Sequence, residues 1–417
     1  MIKVILQSLK SGGSFRMSDE RLDKYLIDAV LSGNAKRVEY ILNIGADKNA
    51  RYKGDGLSCL SIAKSIKAYD VVKVLERYGA EDIEISKKRA EELGRMIFKL
   101  NIDRKDEIKK LILLGADLEV KNILGDTSFL DAVRNQNIFK AEFLMSNGAD
   151  INTTSHSGRN ALFYAIGLYD KKLFFKLLEQ GCDVHLVDDE GYNILHKAVR
   201  CPIGGERLKT LINKGVNLNQ RLKSNGMTPF GVACLWEDSY SALELVKAGC
   251  DVNMGYGDFG KTPLIDVVCS PRIKLEVLEA MLKKGVDMDY EGYMGRSVLG
   301  WALSSDVNWK DNDVWKKIAL LIEYGVKIKD SEQKIIDDMC KMYGKEELVK
   351  GAFDKREERL KEERRKIEQK QKKMEEIKRK NKEEEKTRND DNVNALKEEK
   401  NVVSGGSWLK RLFNGRG

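Results

Sequence analysis

Proline is almost missing from this chain, with 4 residues in 417. That excludes a collagen-like or proline-rich architecture and leaves helices free of their strongest breaker. Histidine is equally scarce, limited to His156, His185 and His196. The seven cysteines, at positions 59, 182, 201, 234, 250, 269 and 340, are odd in number and form no C-x-x-C pair. Zinc spacing is therefore absent, no metal or cofactor is expected, and a disulfide framework is disfavoured. A reducing, cytoplasmic setting is the simple expectation. Long apolar runs are missing too. The longest without glycine covers residues 161–166, far short of the roughly 20 residues that cross a bilayer. Lys3 and Gln7 interrupt the apolar stretch at 2–9, which makes a poor signal-peptide core. Met17 opens a second start, so residues 1–16 read as an upstream extension.

Charge is balanced where a nucleic-acid binder would need an excess. The formal net charge is +8, but residues 354–417 hold 21 basic against 15 acidic side chains, leaving 53 against 51 in residues 1–353. A body this neutral argues against a broad, specific nucleic-acid footprint. Catalytic signatures are likewise lacking: no P-loop, no H-E-x-x-H, no nucleophile elbow and no dinucleotide fingerprint. A non-enzyme is expected, and both an enzyme and a nucleic-acid binder are disfavoured alternatives.

What the chain does have is a period. A glycine recurs at 45, 79, 115, 148, 181, 215, 249, 285 and 325, at intervals of 33 to 40 residues. A second glycine stands two residues before a Ser, Thr or Asn at 58, 127, 160, 193, 228, 262 and 297. Two residues after each of these comes Leu or Phe, and five after comes Ala or Val. The hydroxyl or amide side chain suits a helix N-cap. The apolar pair three apart shares one helical face. The closing glycine suits a left-handed stop. Each unit thus reads as turn, helix, tight link, helix, glycine.

These columns resemble the ankyrin repeat, most closely at Thr228-Pro229-Phe230, Thr262-Pro263-Leu264, Leu195-His196-Lys197-Ala198 and Gly148-Ala149-Asp150-Ile151-Asn152. Only Pro229 and Pro263 fill the proline column and only His196 the histidine column. The resemblance implies an all-α solenoid of about nine or ten helix-pair repeats, His196 bracing a hairpin, and binding of a protein partner on the concave face. The expected organisation is an N-terminal extension at 1–21 and an array at 22–353. A degenerate repeat falls at 81–117, where the hairpin glycine is missing, and a C-terminal cap at 331–353. The interval of 40 before Gly325 implies a surface insertion near 306–315.

From 354 to 400, 33 of 47 residues are charged. Acid-to-base pairs four apart, such as Glu362/Lys366 and Glu376/Lys380, favour one long helix. Phe353, Leu360, Ile367 and Met374 recur every seven, which is half of a coiled-coil seam. The expectation is a solvated helix with a coiled-coil dimer as alternative, beside a monomeric array. Residues 389–392 are expected to break it and 401–417 to be a flexible tail. In that tail Trp408, Leu409, Leu412 and Phe413 form an apolar stripe fit to anchor on a membrane surface or second partner.

Mapped by register, the variable slots at hairpin tips and first-helix ends hold Ile123, Leu124, Arg134, His156, Arg159, Leu168, Tyr192, Arg200, Met227, Trp236, Phe259, Lys261, Tyr293, Met294 and Arg296. Aromatic, Met and Arg enrichment is the composition of an interface core. The expected function is a non-catalytic interaction scaffold with a C-terminal tether. The alternative setting is a bacterial or viral protein exported into a host cell.

Overall fold

A computed structural model describes residues 19–52, 56–201, 205–257, 260–292, 295–304 and 311–405, with side chains described as far as Glu383. The described chain is all-helical apart from three isolated antiparallel bridges, Arg51–Ser58, Val187–Asn193 and Tyr256–Lys261, which close hairpins. Ten helix pairs follow one another. They are α1 (Asp19–Leu31) with α2 (Ala35–Asn43), α3 (Cys59–Ser65) with α4 (Tyr69–Arg77), and α5 (Lys87–Phe98) with α6 (Lys105–Leu113). Then come α7 (Ser128–Arg134) with α8 (Ile138–Ser146), α9 (Ala161–Ala165) with α10 (Lys172–Glu179), and α11 (Ile194–Ala198) with α12 (Gly205–Asn213). The series closes with α13 (Pro229–Leu235) and α14 (Ser239–Ala248), α15 (Pro263–Cys269) and α16 (Leu275–Lys283), α17 (Val298–Ala302) and α18 (Asn312–Glu323), and α19 (Asp330–Tyr343) with α20 (Glu346–Gly405).

The repeated capping residue does what its chemistry allows. Ser58, Thr127, Asn160, Asn193, Thr228 and Ser297 each accept a backbone N–H of the helix they open. Such a cap stabilises by about 1 kcal/mol. Thr262 has the same extended backbone but makes no such bond. At the far end of each of the first nine pairs the glycine turns left-handed, as at Gly249 with φ 95°, where a side chain would be strained.

Two compact units divide the chain: residues 1–287 with 291–296, and residues 288–290 with 297–417. Within the first, α1 stacks on α3, α2 on α4, α7 on both α5 and α9, α11 on α9 and α13, α12 on α14, and α14 on α16. The apolar face of each helix supplies the core, with Leu26, Ile62, Leu75, Leu93, Ile97, Ile108, Phe129, Phe174 and Phe230 essentially inaccessible. Links between repeats form a ladder. The Asn or Glu side chain of one link accepts the backbone N–H of the next, as in Asn49 to Glu81 (2.7 Å), Glu119 to Asp150 (2.8 Å), Asn152 to Asp183 (2.8 Å) and Asn219 to Asp251 (2.8 Å). Asp150, Asp183 and Asp251 then each accept the N–H two residues on, closing a local turn.

In the second unit, the first turns of α20 pack on α18. Arg359 stacks on the Tyr324 ring at 3.7 Å, and Lys355 and Arg359 reach Glu323 at 3.6 and 3.4 Å. From Leu360 to Glu383 every residue is exposed. Two expectations need correction here. Trp315 is not part of a surface insertion: it lies inside α18 and is fully buried, so some of the extra residues lengthen the second helix to 12. Residues 389–392 do not break α20, which runs to Gly405. Asn and Asp cost only a few tenths of a kcal/mol each in a helix interior, too little to overcome a long cooperative segment.

Candidate functional site: a face of cations and rings

Measured from each capping residue, three positions meet on one face: the residue before the cap, and those four and seven after it. At the repeat capped by Thr127 they bring together Asp126 and Arg134, an ion pair at 3.0 Å with the carboxylate fully buried. Burial pushes the Asp126 carboxyl up, against the pull of Arg134. Arg134 also stacks on Tyr164 of the next repeat at 4.8 Å and donates to its hydroxyl at 2.7 Å. Arg159 donates to Asp188 at 2.7 Å and reaches Glu190 at 3.5 Å. Asp188 accepts from the N–H groups of Glu190 and Tyr192 as well.

The repeat capped by Asn193 differs. Its three positions hold Tyr192, Lys197 and Arg200, two cations and a ring. Lys197 lies over the Tyr192 ring at 5.0 Å, and Arg200 over Trp236 of the next repeat at 4.6 Å. Trp236 is 58% exposed. Burial lowers the Lys197 pKa, and the charges of Arg159 and Arg200 lower it further, with Asp188 and Glu190 opposing. Beyond it, Glu237 holds Arg272 at 2.9 Å and accepts from Ser270 at 2.7 Å. Lys261 pairs with Asp266 at 3.2 Å, yet burial still pushes the Asp266 carboxyl up to about 7.

Sequence-expected residues divide accordingly. Arg159, Tyr192, Arg200, Trp236 and Lys261 fall on this face. Met227 is buried, and its carbonyl faces His196; its side chain is withdrawn from any partner. Leu168 is buried too, whereas Ile123 and Leu124 stand exposed at a hairpin tip. Arg296 is exposed at the hairpin before α17. Phe259, Tyr293 and Met294, and the tail residues Trp408, Leu409, Leu412 and Phe413, lie outside the described residues. Lys197 was missed, since its own column marks it only as a polar departure. It stands four after its cap where the neighbouring repeats have Tyr164 and Val232.

His196 is not chemical but structural. Its Nδ1 accepts the Asn193 N–H (3.2 Å), and its Nε2 sits 3.3 Å from the Met227 carbonyl of the following hairpin. Burial lowers its pKa to about 4, so it is neutral at pH 7. A second column, eight residues before the stop glycine, holds buried cations. Arg207 donates to the carbonyls of Ile166 and Leu168, both at 2.6 Å, and Lys140 to that of Ile97 at 2.9 Å. Each closes the open C-terminal end of a first helix in the preceding repeat, where a positive charge is favoured. None of the seven cysteines is in a disulfide, and burial pushes Cys59, Cys182 and Cys250 up to about 12. Among the described residues no cluster of His, Cys, Asp and Glu is arranged to hold a metal. No helix among them is long and apolar enough to cross a membrane.

Residues 168–256 match the family model for ankyrin repeats in three copies, the segment that carries Tyr192, Lys197, Arg200 and Trp236. An ankyrin repeat protein of Rickettsia felis is 31% identical over 221 residues, covering 51% of this chain and 54% of that one. The mitochondrial disaggregase of Bos taurus is 28% identical over 143 residues, 33% of this chain and 20% of that protein. An ankyrin repeat protein of Fowlpox virus is 28% identical over 134 residues, 31% of this chain and 39% of that one. The chain spans about half or less of the length of these relatives.

Proposed function

The chain is an ankyrin-repeat protein, and from that premise we propose that it is a non-catalytic scaffold that binds a protein partner on the face carried by its hairpins and first helices. The observation that carries this reading is the exposed Trp236 stacked under Arg200, next to Tyr192 and Lys197. Aromatic and Arg side chains are the residues that dominate interface energetics, and here neighbouring repeats hold them in fixed orientation. The match to the disaggregase covers a fifth of that enzyme, and so supports shared repeats rather than a shared reaction. Bacterial and viral relatives support a setting in which the partner is a host protein.

The test is site-specific photo-crosslinking in the cell that makes the protein. A benzophenone side chain at Leu235, which is exposed beside Trp236, should trap a protein of defined mass. The same group at Lys361, on the exposed part of α20, should not trap that band. Equal yields of one band from both positions, or no band from Leu235, would remove the face assignment.

A further inference from the structure

The repeats supply internal controls for one another, because equivalent positions can be compared along the array. Arg134 and Arg200 occupy the same position, seven after their caps, and each lies over an aromatic ring of the next repeat. Arg134 is neutralised by Asp126, the residue before its cap. In the repeat of Arg200 that position is Tyr192. The same substitution of roles appears four residues after the cap. Asp266 holds that position in its own repeat and is paired with Lys261. Lys197 holds it here, and its described contact is the Tyr192 ring. Of the carboxylates that act on Lys197, Asp188 and Glu190, both are engaged by Arg159. One repeat thus carries two cations with no carboxylate of their own, while Arg134, Arg159 and Lys261 on the same face, and Arg272 beyond it, are each paired.

Holding Lys197 half-buried between two other cations is unfavourable in the free protein. The arrangement is offset when an anion arrives. A carboxylate placed between Lys197 and Arg200 would accept charge-assisted hydrogen bonds from both, with the Tyr192 and Trp236 rings excluding water. The two cations are about one helical turn apart on α11 and its C-terminal turn, and rings stand at both ends of the pair. That geometry suits one acidic side chain on an apolar segment better than a phosphate polymer, which needs a continuous positive track. The flanking ion pairs interrupt any such track.

We infer that Tyr192, Lys197, Arg200 and Trp236 form the specificity-determining pocket of the partner-binding face, and that the occupant is a Glu or Asp side chain of the partner, flanked by apolar residues. This rests on the protein-binding reading above and adds the chemistry of what is bound.

Fluorescence anisotropy with the full chain tests it. The probes are a fluorescein-labelled 12-residue peptide of alternating Glu and Leu, and its Gln and Leu counterpart. The Glu peptide should bind saturably and at least ten times more tightly. Lys197→Met and Arg200→Met should each weaken it tenfold or more, whereas Arg272→Met, whose cation is already held by Glu237, should leave it unchanged. Thermal melts establish that all three variants fold. Equal binding of the two peptides, no saturable binding, or equal loss in all three variants would overturn the inference. So would displacement of the Glu peptide by a 12-residue oligothymidylate at lower concentration than by unlabelled peptide. The crosslinking experiment separates the two readings. A partner trapped from Leu235 that survives Lys197→Met with Arg200→Met removes the carboxylate pocket and leaves the scaffold. Glu-peptide binding with no trapped partner does the reverse.

Discussion

The array handles positive charge in two regions and in two opposite ways. Between helix layers, Arg207 and Lys140 are buried and donate to backbone carbonyls at the C-terminal ends of first helices. On the face, Lys197 and Arg200 lie against rings with no carboxylate of their own. The first kind of cation completes the fold. The second is left incomplete by it. Burial alone does not distinguish them, since Lys197 is itself half-buried and its pKa is lowered as Lys140's is. The difference is whether the fold supplies the acceptor.

The comparison can be broken most severely at Arg207. Removing its guanidinium in Arg207→Met takes the charged donor from the Leu168 carbonyl and leaves the Ile166 carbonyl with the Cys201 thiol at 3.4 Å, at about 1–3 kcal/mol for each lost bond. The expected loss is roughly 3 kcal/mol or more, read from urea denaturation. A loss under about 1 kcal/mol would mean water replaces the guanidinium freely.

Next in size is the response to acid, which sharpens the interior half of the comparison. His196 must stay neutral to accept from Asn193 and is held near 4. Because the folded value lies below the unfolded value of about 6.5, the unfolded chain takes up the proton more readily. Stability from this group is therefore complete above pH 6.5 and falls as pH drops toward 4, by roughly 3 kcal/mol at about 1.4 kcal/mol per unit. In His196→Gln the loss of stability between pH 6.5 and pH 4 should be smaller than in the wild type, whatever the absolute stability of the variant. Parallel curves would mean that His196 does not set the acid limb.

The smallest effect is expected on the face. Lys197→Met keeps the aliphatic packing on Tyr192 and removes a disfavoured charge, so stability should change by less than about 1 kcal/mol, in the stabilising direction. Clear destabilisation would place Lys197 with Arg207 as a structural cation, and the two regions would no longer differ.

Much of this fold was legible because it repeats. The caps at Ser58, Thr127, Asn160, Asn193, Thr228 and Ser297 and the left-handed glycines carry the same local chemistry each time, and six copies outweigh the ambiguity of any one. His196 was legible as a hairpin brace through the family resemblance. Less legible was anything decided by contact between repeats. Met227 has the composition of an interface residue but is covered by its neighbours. Trp315 falls within the longest interval, where an insertion is expected, yet it anchors α18. Lys197 was overlooked because its meaning comes from Tyr192 standing where another repeat has Asp126. A pairing across positions of that kind is invisible when each column is read alone.

The ladder of links has a kinetic consequence. Its rungs join residues 31 to 34 apart, from Asn49–Glu81 to Asn253–Asp287. Loop-closure entropy grows with the logarithm of the loop, so each rung costs about the same to close wherever it falls in the chain. Forming the eighth helix pair therefore asks for no longer a search than forming the second. Growth of an array by duplication adds length without adding contact order, and the barrier to folding stays that of a single repeat docking on its neighbour.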